Sequence, residues 1–538
     1  MTHETATRAG AARARRPPLL LGAAAVAAVA LVALPVVYLV VRAASGGADA
    51  WAVLGRPRML ELVGQTALLV GAVTGAAVAV AVPLAWLVVR TDLPGRRFWS
   101  VAAALPLVVP SYVAALVLLA AFGPRGLLQQ VLEGPFGVER VPAIYGFPGA
   151  LAALTLSTYP YVYLLTVAAL RGLDPALEEA SYGLGRSRLE TFRRVTLPVL
   201  RPSVGAGALL AALYTLSDFG AVSLMQYSSL TRAVYLQYKS LFDRTPAAVL
   251  ALVLVALTAI VLLLEARSRG RARYHRTSPG TARAPARVEL GRWRWPALGF
   301  CAGVVGFGLA VPLVVIGYWL ERAVSLGAGL ETAWGAAFNS VLVSALAAGA
   351  AVVAALPVAV LAYRYPARWT GALERLAFGS NALPGIVIAL SLVFFAANYA
   401  TPLYQTLALL VAAYVVRFYA QALAGASSAL ARVSPRLEEA ARGLGTSPRR
   451  AFLTVTAPLA APGLLAGTAL VFLSTMKELP ATLLLRPIGF ETLATEVWTL
   501  TTVGAYSRAA LPALLLIAFS APFVYLLTTR RLGLDAHG

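Results

Sequence analysis

The sequence predicts an all-α polytopic membrane protein, with about 12 transmembrane helices arranged as two parallel six-helix halves. Three observations carry that prediction. The 538 residues are 59% apolar and 13% charged, against roughly 45–50% and 25% in soluble domains. Apolar runs long enough to cross a bilayer, roughly 20 residues each, recur along the whole chain. A polar segment of 22 residues occurs twice, 260 residues apart, with 12 identical positions.

The apolar runs cover 18–41, 63–89, 99–122, 147–170, 203–225, 246–264, 295–320, 337–363, 376–397, 403–424, 461–484 and 509–529. Inside lipid every backbone polar group needs an internal partner, so each run reads as a helix. A transmembrane β-barrel would show alternating ten-residue segments, and these runs do not alternate. Arg15 and Arg16 before the first run could announce a cleaved signal. The run of about 24 residues is longer than a signal's roughly 7–15, so an uncleaved first span is expected.

The net charge of +22 is distributed by topology. Placing the N-terminus inside puts Arg8, Arg13, Arg15 and Arg16 on the cytoplasmic side. The stretches Arg171 to Arg201, Arg267 to Arg294 and Arg432 to Arg450 join them there. This is the positive-inside bias of an even number of spans with both termini cytoplasmic. Basic residues interleaved with spans serve orientation and contact with membrane lipid, and no nucleic-acid partner is expected.

Several chemistries are excluded by inventory. Cys301 is alone, and His3, His275 and His537 lie at the termini or in a basic linker, so no disulfide and no firm metal site is available. The two lysines, Lys239 and Lys477, do not follow glycine, so the Gly-Lys-Ser/Thr of a phosphate-cradling P-loop is missing. A membrane-embedded enzyme would want a buried cluster of reactive groups. The main in-span candidates are Asp218, Glu478, Lys477, Arg417 and Cys301, which is too thin to assign a catalytic residue.

The duplicated segment starts at Leu177 (LEEASYGLGRSRLETFRRVTLP) and at Leu437 (LEEAARGLGTSPRRAFLTVTAP). Upstream, Pro83, Arg90 and Pro110 correspond to Pro357, Arg364 and Pro384 at an offset of 274. The chain therefore divides into a first half at 1–264, a basic linker at 265–294 and a second half at 295–538. The repeated loops occupy 174–202 and 434–462, and an even number of spans per half makes the repeats parallel. Each loop carries helix signals. Asp174-Pro175 and Ser434-Pro435 pair a capping residue with a proline. Glu178, Glu179, Glu438 and Glu439 fall in the first turn, where the helix dipole favours acids. Gly183 with Gly185, and Gly443 with Gly445, offer places to stop and turn. Leu177, Ala180 and Leu184 share one face, as do Leu437, Ala440 and Leu444.

These loops resemble the EAA signature of binding-protein-dependent ABC importer permeases. The first copy fits as Glu179-Ala180-Ser181, Gly185, Val195 and Leu197-Pro198, the second as Glu439-Ala440-Ala441, Gly445, Val455 and Ala457-Pro458. Ser181 and Ala457 depart from the pattern. The resemblance implies the type I ABC importer permease fold. It also implies coupling helices that dock on a separate ABC ATPase subunit, present as a dimer, which would hold ATP and Mg; this chain would bind no cofactor. Glu178, Glu179, Ala180 and Gly185, with Glu438, Glu439, Ala440 and Gly445, would form the ATPase-coupling elements. An external or periplasmic solute-binding protein would deliver the cargo.

Asp218 and Glu478 lie at the same offset of 260 in the span after each loop. Ionisable residues in spans are costly and face a cavity or a partner. They are either solvated near the outer edge, with Lys477 beside Glu478, or line a substrate route. Carboxylates suit a hard cation. The stretch KELPATLLLRP with Gly489 to Thr495 is similar to fused ferric-iron permeases of this superfamily, which implies ferric iron as cargo, with thiamine or another small solute as the alternative. A gradient-driven secondary transporter would suit the spans and the repeat but gives no reason for two EAA loops.

Overall fold

The computed structural model describes residues 17–124, 126–138, 141–239, 245–268, 287–327, 329 and 331–531. The expected linker at 265–294 therefore lies partly outside the described residues, as do Arg8, Arg13, Arg15 and Arg16. Among the described residues the regular structure is helical, with one isolated bridge between Thr91 and Val288.

Eleven described helices are long and apolar enough to cross a membrane. In the first half they are Leu19–Ser45, Pro57–Arg90, Ser111–Phe136, Phe147–Gly172, Phe192–Ser217 and Thr245–Arg267. In the second they are Gly291–Ser325, Glu331–Arg364, Leu407–Ala431, Pro448–Met476 and Tyr506–Tyr525. A bent pair, Arg368–Ala382 with Gly385–Tyr399 at 104°, supplies the place of the ninth span. Every apolar run of the sequence thus has its helix.

Boundaries differ where proline and capping groups intervene. The third run is not one helix: Arg96–Ala102 and a tight turn at Leu105–Val108 precede Ser111–Phe122. The ninth is broken in the same manner before Gly385. At both breaks a proline, Pro110 or Pro384, forces the preceding residue out of the helical region. Val109 has ψ 112° and Leu383 has ψ 122°.

The fifth and eleventh spans start earlier and end sooner than their apolar runs. Residues 188–202 and 448–462, read as loop, are already helical and join the spans through wide turns at Phe192–Thr196 and Phe452–Thr456. Such π-helical turns absorb local irregularity, here directly before Pro198 and Pro458. The spans stop at Ser217 and Met476, and a short helix follows each, Gly220–Leu224 and Pro480–Leu485.

Small residues let neighbouring spans approach closely. A Cβ on Gly207 would stand 2.6 Å from the Val162 backbone, and Gly467 meets Gly425 backbone to backbone. The tyrosines of the fourth span are packing groups: Tyr159 and Tyr163 are fully buried, and the Tyr163 hydroxyl donates to the Ser100 carbonyl at 3.1 Å.

Two compact units emerge, and they are a different division of the chain from the sequence repeat. One comprises residues 1–41 and 340–489, the other 42–339 and 490–538. In the first unit the opening span packs on the ninth. Ser391 donates to the Pro35 carbonyl at 2.9 Å, and the Tyr38 and Phe395 rings meet edge-on at 5.7 Å. In the second unit the seventh span packs on the third. Trp319 Nε1 donates to the Ala120 carbonyl, and Tyr318 donates to Gln130 at 2.8 Å.

Candidate functional site

Both repeated loops form the expected short helix, Pro175–Gly183 and Pro435–Gly443. Asp174 accepts from the Ala176 amide at 3.1 Å. Ser434 has the extended backbone of a cap but makes no such bond, so proline at the first position carries that start. Both helices end in one motif. Gly185 and Gly445 adopt φ of +79° and +89°, a conformation glycine enters without penalty. Their amides return to Tyr182 and Arg442, and the next amides, of Arg186 and Thr446, return to Ser181 and Ala441. That pair of bonds is a Schellman closure.

The first glutamate of each helix is clamped rather than free. Glu178 Oε1 lies 2.7 Å from Arg90 Nη2, a charge contact without an aligned hydrogen bond, and accepts from the Thr196 hydroxyl at 2.6 Å. Glu438 pairs with Arg364 and accepts from Thr456 at 3.0 Å. The Arg364 guanidinium also sits 4.7 Å from the centre of the Phe452 ring. Partial burial would raise the Glu438 pKa. The Arg364 hydrogen bond and charge, with help from Thr456, outweigh it and hold the group below the usual carboxylate range. Each helix is thereby tied to the end of the second or eighth span and to the start of the fifth or eleventh.

The opposite faces are open. Glu179, Glu439, Ala180 and Ala440 are exposed. So are the apolar residues: Leu184 is 77% and Leu444 86% accessible, with Leu177 and Leu437 about half exposed. An acidic and apolar face of this kind, presented twice, is unusual on a surface that nothing covers.

Asp218 and Glu478 occupy the breaks after the fifth and eleventh spans. Asp218 is buried and Glu478 partly buried. Asp218 accepts from the amides of Ala221 and Val222 at 3.0 and 3.2 Å and from the Ser111 hydroxyl. Glu478 accepts from the Ala481 amide at 3.2 Å. Each carboxylate caps the short helix that follows it. A Cβ on Gly385 would stand 2.6 Å from Glu478 Oε1 and 3.6 Å from Arg417 Nε. Ser111 and Gly385 are equivalent at the offset of 274, so a longer acid in one repeat is matched by a smaller neighbour. Asp218 belongs to one compact unit and Glu478 to the other. Among the described residues no cluster of three or more His, Cys, Asp or Glu is placed to hold a metal ion.

The family model described as "Binding-protein-dependent transport system inner membrane component" matches residues 71–274 and 351–533. The chain belongs to this family. Each matched stretch contains one clamped helix, so the permease carries the family unit twice. It is 35% identical over 518 residues to the "Fe(3+)-transport system permease protein FbpB 2" of Haemophilus influenzae, covering 95% of this chain and 98% of that one. It is 25% identical over 400 residues to the "Ferric transport system permease protein FbpB" of Actinobacillus pleuropneumoniae, covering 70% of this chain and 57% of that protein. A shorter likeness, 30% over 167 residues, links 30% of the permease to 72% of the "Molybdenum transport system permease protein ModB" of Escherichia coli K12.

Arg90, Arg364, Thr196, Thr456, Ser111 and Gly385 complete these sites, and local motif spacing assigns none of them a role. Their signal was the repeat itself: each pair matches at the local offset of 260 or 274.

Proposed function

We propose that the permease imports ferric iron, delivered by an external solute-binding protein and driven by a separate ABC ATPase dimer that holds ATP and Mg. In this reading it lies in a bacterial inner membrane with both termini cytoplasmic. The ATPase docks on the helices at Pro175–Gly183 and Pro435–Gly443. The observation that carries the coupling role is the two-sided character of those helices. One side is pinned through Glu178 and Glu438 to two spans each, and the other offers Glu179 or Glu439 with exposed leucines. A push on the open side passes through the clamp to the second and fifth spans, or the eighth and eleventh, without the helix tilting on its own. Alternating opening of a route between spans then needs no covalent chemistry by this chain. Iron as cargo is supported by the 35% identity to a protein named for Fe(3+) transport across nearly its whole length. Asp218 and Glu478 are the carboxylates of this reading that line the route.

Two measurements test it. Uptake of radiolabelled ferric iron by iron-starved cells is expected to fall when the chain is deleted, with labelled thiamine uptake unchanged; the reverse would move the cargo to thiamine. E179K with E439K is expected to leave the permease in the membrane and abolish co-purification of the ATPase, whereas normal co-purification would reject the docking role. D218N and E478Q keep an acceptor for the capped amides and remove the charge, so unchanged uptake in both would return these residues to capping alone.

A further inference from the structure

A basic recess of about 370 Å³ lies at the end of the second span, lined by Asp92, Leu93, Gly95, Arg96, Arg97 and Arg287. Its walls come from the loop after the second span and from the last residues of the basic linker. The chain re-entering at Val288 pairs with the end of the second span: the Val288 amide donates to the Arg90 carbonyl at 2.8 Å, and the Asp92 amide donates to the Val288 carbonyl at 3.2 Å. The acid of the recess is already engaged, since Asp92 Oδ1 accepts from the Leu290 amide at 2.9 Å. Leu93, Trp99, Leu290, Ala297 and Cys301 pack in one core beneath, which holds the two walls together.

Three guanidiniums therefore share a recess, and among the described residues none of them makes an ion pair. Arg96 has its pKa lowered, first by partial burial and then by the charges of Arg287, Arg97 and Arg171, so the cluster repels itself until an anion enters. The surroundings show which anion. Phe98, Trp293 and Trp295 stand exposed close by in sequence, Trp295 at 77%, as aromatic side chains do at the level of lipid headgroups. The second repeat lacks the cluster: its equivalent helix opens Arg368-Trp369 where the first opens Arg96-Arg97, and among the described residues no bridge like that of Thr91 with Val288 forms there. A site present once is not part of a duty the two repeats share.

We infer that Arg96, Arg97 and Arg287 form a binding site for the phosphate headgroup of an anionic phospholipid in the leaflet facing the repeated loops. A lipid bound there bridges the re-entering chain to the end of the second span, two residues from the Arg90 that clamps Glu178. This goes beyond the transport reading and uses none of its assays.

The test is quenching of tryptophan fluorescence of the full chain in phosphatidylcholine nanodiscs doped with brominated phosphatidylglycerol or, at equal bromine, brominated phosphatidylcholine. Phosphatidylglycerol is expected to quench more strongly, and each arginine to contribute about fivefold in apparent affinity. R96Q/R97Q/R287Q is expected to abolish the excess and R96K/R97K/R287K to retain much of it. Should the glutamine triple variant not yield monodisperse protein, R97Q at its exposed position is read instead, with a partial loss expected. Equal quenching by the two lipids, or an undiminished excess in the glutamine variant, would overturn the inference. Loss of the excess on adding millimolar inorganic phosphate at constant ionic strength would overturn the lipid as ligand in favour of free phosphate.

Discussion

Arg90 and Arg364 do more for the repeated helices than helix propensity can, because removing one member of a shielded ion pair strands the other. The pairs are not equally shielded: the Arg90 side chain is 4% exposed and that of Arg364 is 20%. Exposed pairs contribute up to about 1 kcal/mol, and breaking fully buried ones costs about 3–5 kcal/mol. R90Q is therefore expected to cost about 3 kcal/mol and R364Q about 2 kcal/mol, read as thermal unfolding in detergent and earlier trypsin cleavage at Arg186 or Arg442. Equal, negligible losses would dismiss the clamps. The pH dependence has a definite sign. Glu438 has a depressed pKa in the fold, so its contribution is full above the unfolded value of about 4.3 and is lost as pH falls through the lower folded value. The deficit of R364Q against the native chain should stay constant above about pH 5 and shrink below it. At this scale the sequence showed the acids and the turning glycines, because they sit at fixed local spacing. Local spacing did not show their partners, because an ion pair joins distant segments; only the repeat, which returns Arg90 as Arg364, points to them.

Helix existence follows from apolarity, and helix ends follow from groups that apolarity conceals. The run 203–225 is continuous in hydropathy although the helix stops at Ser217, because the short helix Gly220–Leu224 is as apolar as the span before it. Only Asp218 marks the break, and it does so as a cap. D218A should therefore lower thermal stability by about 1–2 kcal/mol through lost capping and a stranded Ser111 hydroxyl, while D218N should lose much less. Equal losses would mean that charge, not capping, holds the break. Close approach of spans makes a second test with an internal control. G207A forces a Cβ to within 2.6 Å of the Val162 backbone, whereas the Cβ of G205A meets nothing within 4 Å. G207A is expected to cost about 1–3 kcal/mol and G205A to be near neutral, both read as unfolding midpoints in detergent. A neutral G207A would show that the fourth and fifth spans are free to separate.

The duplication is plain in the sequence, yet it does not describe how the chain packs. Leu19–Ser45 and Gly291–Ser325 open the two halves, and each packs mainly in the compact unit built from the other half. The first span meets the ninth through Ser391 and Tyr38, and the seventh meets the third through Trp319 and Tyr318. Nothing in an apolar run names its neighbour, since lipid-facing and helix-facing leucines read alike; that exchange was invisible to composition and periodicity. It has a consequence for folding. A chain ending in the linker lacks the seventh span that completes its unit, and a chain starting there lacks the first. Fragments 1–280 and 281–538 expressed separately should each be degraded or misassembled. Co-expressed from two genes, they should accumulate together in the membrane and co-purify, because every packing partner is again present. Stable, monodisperse accumulation of either fragment alone would show that each half carries its own complete core, and that the exchanged spans are accessories to two independent six-helix domains.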